Sequence, residues 1–264
     1  MKVVLFCGGL GTRLREHSET IPKPMVDIGY RPIIWHLMKY YAHYGCHEFI
    51  LCLGYRGDVI KNYFLHYDEC VSNNFVLSKG GKDIQLLGSD IDEWKITFVD
   101  TGLSSNLGER LKAVQPYLDN GDDFFMANYS DGLTDLHLPT YIDYFRRHDA
   151  TASFLCVRPS SSFHVVQADD GGRVHSVRSS DESGLWINGG FFILRRDIFD
   201  VMKPGDELVE APFRRLIEQD RLLAYKYTGF WACMDTFKDK QRFDDMYARG
   251  ETPWAVWDRP GSDA

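Results

Sequence analysis

Nowhere does this sequence reach the roughly 18 consecutive apolar residues that a membrane-spanning helix requires, and it has no surplus of basic side chains. Its 264 residues carry 38 acidic against 30 basic groups, a formal net charge of −8. That balance argues against a binder of nucleic acid or another polyanion, and it leaves room for a small phosphorylated ligand held by a few local cations. The six cysteines (Cys7, Cys46, Cys52, Cys70, Cys156 and Cys233) form no C-x-x-C pair. They read as reduced thiols in apolar strands of a cytoplasmic protein. No histidine is expected to ligate a metal. The first residues offer one lysine and a short apolar run, too brief for a secretory leader. Internal repeats, low-complexity runs and Pro/Ser-rich linkers are missing as well, which points to one domain over residues 1–264.

What is present is alternation. Lys2–Cys7 (KVVLFC) reads as a buried strand, and RPIIWHLMKYYAHYG as a helix with Pro32 in its first turn and Gly45 at its C-cap. The pattern repeats as strand 48–54 and helix 57–67, strand 94–100 and helix 108–118, strand 122–132 and helix 138–149. Strand–helix alternation predicts a mostly parallel sheet covered on both faces, with ligands at the carboxyl ends of the strands. Residues 70–92 break the rhythm as a hairpin turning at Gly80-Gly81, and 151–194 read as strands with a turn near Gly171-Gly172. Helices return at 208–220 and 237–250.

After the first strand comes GGLGTRLREHSETIPKPM (8–25). It is not the dinucleotide fingerprint, because Leu14 stands where the third glycine belongs, and it lacks the Gly-Lys-Ser/Thr of a P-loop. The physical logic is shared. Gly8, Gly9 and Gly11 let backbone N–H groups converge on an anion, Thr12 adds a hydroxyl, and Arg13 and Lys23 add charge-assisted donors. Pro22 and Pro24 predict an extended backbone at Lys23. A solvated glycine turn with two decorating cations is the plain alternative. Two aspartates from distant sequence complete the picture: Asp131 in ANYSDG follows the fourth strand, and Asp235 in ACMDT precedes a helix. Carboxylates brought together this way suit a hard cation bridging phosphate oxygens, although a turn residue and a helix N-cap are the ordinary readings.

GGLGTRL with PKPM resembles the signature of the sugar-1-phosphate nucleotidyltransferases. GYRPIIWHLMKYYAHYG, LCLGYRGDVIKNYF, ITFVDTGLSSNLGERLKAV, INGGFFIL, GFWACMDTFKDK and GETPWAVW are similar to the glucose-1-phosphate cytidylyltransferase branch. The resemblance implies an α/β, Rossmann-like fold of glycosyltransferase-A type, with a mostly parallel central sheet flanked by helices and an additional small β region. It divides the domain into a nucleotide-binding half (1–150) and a sugar-binding half (151–264). The activity implied is NTP plus sugar 1-phosphate giving NDP-sugar and pyrophosphate, with Mg²⁺ as cofactor and CTP and glucose 1-phosphate as expected substrates; UTP or dTTP stays an alternative. The resemblance leaves the assembly open, with a homo-oligomer among the options, and the TPWAVW tail reads either as an interface or as folded back. Arg13 and Lys23 are the expected catalytic groups, and Asp131 and Asp235 match the metal aspartates. No base is required, since the sugar phosphate is already an anion. Arg110 resembles an arginine near base and phosphates; an exposed first-turn residue is the alternative. Asn188, Gly189 and Gly190 match a sugar-pocket stretch, with a strand bulge as the alternative. Trp186, Phe230 and Trp231 suit either stacking on a ligand or core packing.

One departure stands out. The family's Glu-Lys-Pro motif, whose lysine grips the sugar's phosphate, has Ser179, Ser180 and Asp181 near its place, and Ser162 replaces an arginine expected before Phe163. Arg178 or another nearby cation, a different phosphorylated acceptor, or lost catalysis on a nucleotide-sensing scaffold would each account for it. A nicotinamide-dependent dehydrogenase is the weak rival, lacking both the third glycine and a carboxylate after the second strand.

Overall fold

The computed structural model describes residues 1–9, 21–118, 121–159, 164–180 and 183–259. In chain order its strands are β1 (Lys2–Phe6), β2 (Asp27–Ile28), β3 (Arg31–Pro32), β4 (Glu48–Leu53), β5 (Phe75–Ser78), β6 (Asp83–Leu86), β7 (Lys95–Asp100) and β8 (Phe124–Tyr129). They continue as β9 (Gly132–Thr134), β10 (Ala152–Val157), β11 (His164–Ala168), β12 (Val174–Ser179), β13 (Ile187–Asn188), β14 (Phe192–Arg195), β15 (Leu222–Lys226) and β16 (Trp231–Cys233).

The central sheet follows the expected alternation. β7, β4, β1 and β8 lie side by side and parallel. Side chains alternate across β1: Val3, Leu5 and Cys7 pack into one core cluster and Val4 and Phe6 into the other. Both faces are therefore dry, as a parallel sheet requires. The helices Ile33–His43 and Leu138–Arg146 supply buried residues to the first cluster; Leu107–Val114 and Ala211–Glu218 supply the second. Gly45, at φ +78°, ends the first helix in the left-handed turn that glycine favours.

Beyond β8 the sheet changes direction. β14 is antiparallel to both β8 and β10, and β15 then adds parallel to β10. β10 thus runs the same way as β8, and its carboxyl end shares their edge. β13 and β14 are one strand lane broken at Gly189–Phe191, with Leu155 bonding across the break to both Gly189 and Gly190. Three of the five strands in this stretch, β10, β13 and β14, therefore join the main sheet, and the β11–β12 hairpin stands apart. The β5–β6 hairpin turns at Lys79–Gly81, where the glycine pair placed it. The tail TPWAVW folds back: Trp254 is 1% exposed against Phe243 and Phe230, and its Nε1–H donates to His36 Nδ1 at 3.4 Å. No helix among the described residues is long and apolar enough to cross a membrane.

Candidate active site

The carboxyl edge of β1 and β8 opens into a cavity of about 350 Å³. Its lining includes Gly8, Gly9, Lys23, Arg110, Tyr129, Asp131, Glu207 and Asp235. Two local pairings bring the aspartates together across a hundred residues. β9, which directly follows Asp131, pairs antiparallel with β16, setting Gly132 opposite Cys233, and Met234 N–H donates to the Asp131 carbonyl at 2.9 Å. Asp235 is freed from capping duty because Thr236 caps the next helix, in a reciprocal capping box with Asp239. The N-cap alternative for Asp235 is therefore overturned.

Lys23 stands between the two carboxylates. Its Nζ lies 2.5 Å from Asp131 Oδ2 and 2.5 Å from Asp235 Oδ1. Burial alone would lower the ammonium's pKa; the two carboxylates outweigh it and hold the pKa above its ordinary value. The backbone at Lys23 is not extended, contrary to the sequence expectation. Pro22 is extended, but Lys23–Met25 forms one 3-10 turn closed by Met25 N–H to Pro22 O at 2.8 Å, because Pro24 has the fixed φ of a helical first turn. That turn still aims the side chain into the cavity.

Two carboxylate oxygens within hydrogen-bond reach of one cation form the donor set a small hard cation takes, the ammonium acting as its stand-in. No group of three or more potential metal ligands is found among the described residues, which leaves a two-carboxylate site. His43 and His47 are four apart in sequence, but Gly45 ends the helix between them and removes any shared face. The described cysteines are free thiols; Cys233, beside Asp235, has its pKa raised by burial and then by Asp235 and Asp131.

Arg110 is not the exposed first-turn residue of the alternative reading: it is buried at the wall of the cavity. It is 4% exposed, and its guanidinium donates to Thr101 Oγ1 at 2.8 Å, Gly8 O at 3.0 Å and Leu53 O at 3.2 Å. It ties the ends of β1, β4 and β7 together. A Cβ on Gly8 would fall 2.0 Å from Arg110 Nη1, so this glycine serves the arginine's close approach, whereas nothing lies within 4 Å of a Cβ on Gly9. Gly11, Thr12, Arg13, Ser162 and Asp181 lie outside the described residues.

Asn188 and Gly189 sit at the broken strand, beside the cavity. Asn188 Nδ2 donates to Tyr129 Oη at 3.4 Å, and Trp231 Nε1 donates to Gly189 O at 2.9 Å. Arg178 is exposed on β12, opposite Val165, and does not line the cavity. Asp135, four residues beyond Asp131, accepts from Tyr227 Oη at 2.5 Å and Phe230 N at 2.8 Å and so holds a turn. Sequence reasoning missed Glu207 and Tyr129. Glu207 accepts from Leu107 N–H at 3.2 Å at the head of the Leu107–Val114 helix, from a loop with no local signal in its residues.

Residues 2–236 match the nucleotidyl transferase family. A glucose-1-phosphate cytidylyltransferase of Salmonella typhimurium is 37% identical over 264 residues, covering 98% of this chain and 100% of that protein. One from Salmonella typhi is 37% identical over 261 residues, with the same coverage of both chains. Among solved structures, a UDP-glucose pyrophosphorylase complexed with UDP-glucose shares the fold at TM-score 0.68 and 16% identity, over 94% of this chain and 98% of that one.

Proposed function

The chain belongs to the nucleotidyl transferase family, and on that premise we propose that it joins CTP to glucose 1-phosphate, giving CDP-glucose and pyrophosphate. The observation that carries the reading is the Lys23 ammonium held between Asp131 and Asp235 in a cavity at the carboxyl edge of the sheet. The similarity to glucose-1-phosphate cytidylyltransferases supports the choice of both substrates.

In the reaction an oxygen of the sugar phosphate attacks the α-phosphorus; that P–O bond forms as the bond to the β-phosphate oxygen breaks, and pyrophosphate leaves with the electron pair. No residue has to remove a proton, because the nucleophile is ionised at neutral pH. The chain's task is alignment and charge stabilisation. Lys23, charged across the whole neutral range, meets the oxygens of the α-phosphate, with Arg13 as its partner in the glycine loop. Backbone at Gly8 and Gly9 borders the phosphates. Asp131 and Asp235 are the residues that would hold Mg²⁺, which when bound screens the negative charge of the triphosphate.

Pyrophosphate release, measured with CTP, UTP, dTTP, ATP and GTP against a panel of sugar 1-phosphates, tests this directly. Release is expected with CTP and glucose 1-phosphate and lost in Lys23→Ala and Asp131→Ala. If no pair turns over while a nucleotide still raises the melting temperature, the protein is a nucleotide-binding sensor and the proposal fails.

A further inference from the structure

The carboxyl ends of β10 and β15 lie on the same sheet edge as Gly8 and Asp131, and just past them two cations converge on one indole. Arg158 Cζ lies 4.2 Å from the Trp186 ring centroid, and Lys226 Nζ lies 5.4 Å from it. Arg158 Nη1 donates to Leu185 O at 3.2 Å. Among the described residues neither cation has a carboxylate within ion-pair distance, and most of the guanidinium's five donors remain unused. Their fields overlap on Cys156, whose pKa is raised by burial and opposed by Lys226 and Arg158.

Two like charges against one ring repel each other, and the ring's quadrupole offsets only part of that. An anion placed between them would satisfy both through charge-assisted bonds. The pair is also joined to the cavity. Ile187 and Asn188 follow Trp186 directly, and Asn188 bonds Tyr129, which lines the cavity. β10 is two strand lanes from β8, about 10 Å. Arg178, exposed on the β11–β12 hairpin, has no comparable placement.

We propose that Arg158 and Lys226, paired on Trp186, form an anion site for the acceptor substrate and bind an anionic oxygen of the phosphorylated sugar. That oxygen belongs either to the 1-phosphate or to a second acidic group further along the sugar. The proposal rests on the transferase reading above and supplies the charge for which Ser179 and Ser180 offer none.

The test compares Arg158→Gln, Lys226→Met and the double variant with wild type, using CTP and two acceptors, glucose 1-phosphate and glucuronic acid 1-phosphate. The double variant is expected to raise the acceptor KM at least about tenfold, as loss of charge-assisted bonds does, with the KM for CTP and the melting temperature nearly unchanged. Arg158→Lys and Lys226→Arg should recover most of the loss. A rise with both acceptors assigns the site to the 1-phosphate; a rise with glucuronic acid 1-phosphate alone assigns it to a second acidic group. Unchanged acceptor KM values in a folded, active double variant overturn the proposal, as does a rise in the CTP KM in step with the acceptor's. A wild-type protein that turns over neither acceptor sinks the transferase reading and this site with it, a result distinct from an active enzyme indifferent to both substitutions.

Discussion

Two cationic centres sit on one edge of one sheet, and their charges are arranged in opposite ways. At Lys23 a single ammonium is shared by two carboxylates, so the centre is neutralised from within. At Trp186 two cations share an indole, and no described carboxylate answers them. Arg110 shows a third condition: its donors are spent on the Thr101 hydroxyl and on the carbonyls of Leu53 and Gly8, at the ends of three strands in all. Here a cation met by protein acceptors is part of the fold, and a cation without them is left for a ligand. Lys23 lies between these cases, because its partners are themselves the residues suited to a metal.

The largest expected effect comes from breaking the neutralised centre. Asp131→Ala or Asp235→Ala should cut pyrophosphate release by about a thousandfold or more, the scale of losing charge stabilisation at a reacting phosphate. The melting temperature should move little, since each variant leaves Lys23 one carboxylate. A variant that keeps full turnover would remove this centre from the chemistry.

Gly8→Ala probes the structural cation. Its new Cβ would lie 2.0 Å from Arg110 Nη1, in a place where the guanidinium has no slack because Leu53, Thr101 and Gly8 hold it. A loss of about 2 kcal/mol or more is expected, the ordinary cost of overpacking a buried site, and urea unfolding would measure it. Gly9→Ala, with nothing within 4 Å of its Cβ, should be close to neutral for stability. Equal losses at both positions would mean that Arg110 does not decide which glycine the fold needs.

Much of this was legible in the sequence where local pattern and fold agree. β1, β4, β7 and β8 and the helices between them follow from apolar period and punctuation, and Gly80-Gly81 marks its hairpin. The meeting of Asp131 with Asp235 was not legible, because it depends on a three-residue pairing of β9 with β16 that no propensity announces. The bulge offered as the alternative at Asn188–Gly190 is present, but its partner is not announced locally: Asn128 Oδ1 accepts Phe191 N–H at 2.9 Å, and a Cβ on Gly190 would come within 2.5 Å of that oxygen. Arg158 and Lys226 are 68 residues apart in the chain, and only the parallel register of β10 with β15 sets them on one ring.

Lys23 also predicts a competition. Before a divalent cation can lie between Asp131 and Asp235, the ammonium has to leave. Lys23→Met should therefore bind Mn²⁺ in the absence of nucleotide about tenfold more tightly than wild type, since two carboxylates lose their internal counter-charge. Paramagnetic resonance of free Mn²⁺ reads this without any turnover. Weaker binding in Lys23→Met would show that the lysine organises the carboxylates and does not compete for them.

The smallest effect separates the Lys23 centre from the fold beneath it by pH. Lys23 has a raised pKa, so the stability it contributes is complete below the unfolded value of about 10.4 and is lost only as pH rises through the folded one. Acid therefore leaves this ammonium untouched. His36, under the folded-back tail, behaves in the opposite way. Burial pushes its pKa down to about 4, its Nδ1 accepts from Trp254 Nε1 and its Nε2 faces Ile28 O at 3.1 Å, so the neutral ring is the one that fits. The unfolded chain binds the proton first, near pH 6.5, and stability falls as pH drops from there toward 4. Between pH 7 and 5.5 the loss should be about 1 kcal/mol. His36→Gln, less stable at pH 7, should lack this further decline in urea midpoints. A decline of the same size in His36→Gln would place the acid-sensitive group elsewhere.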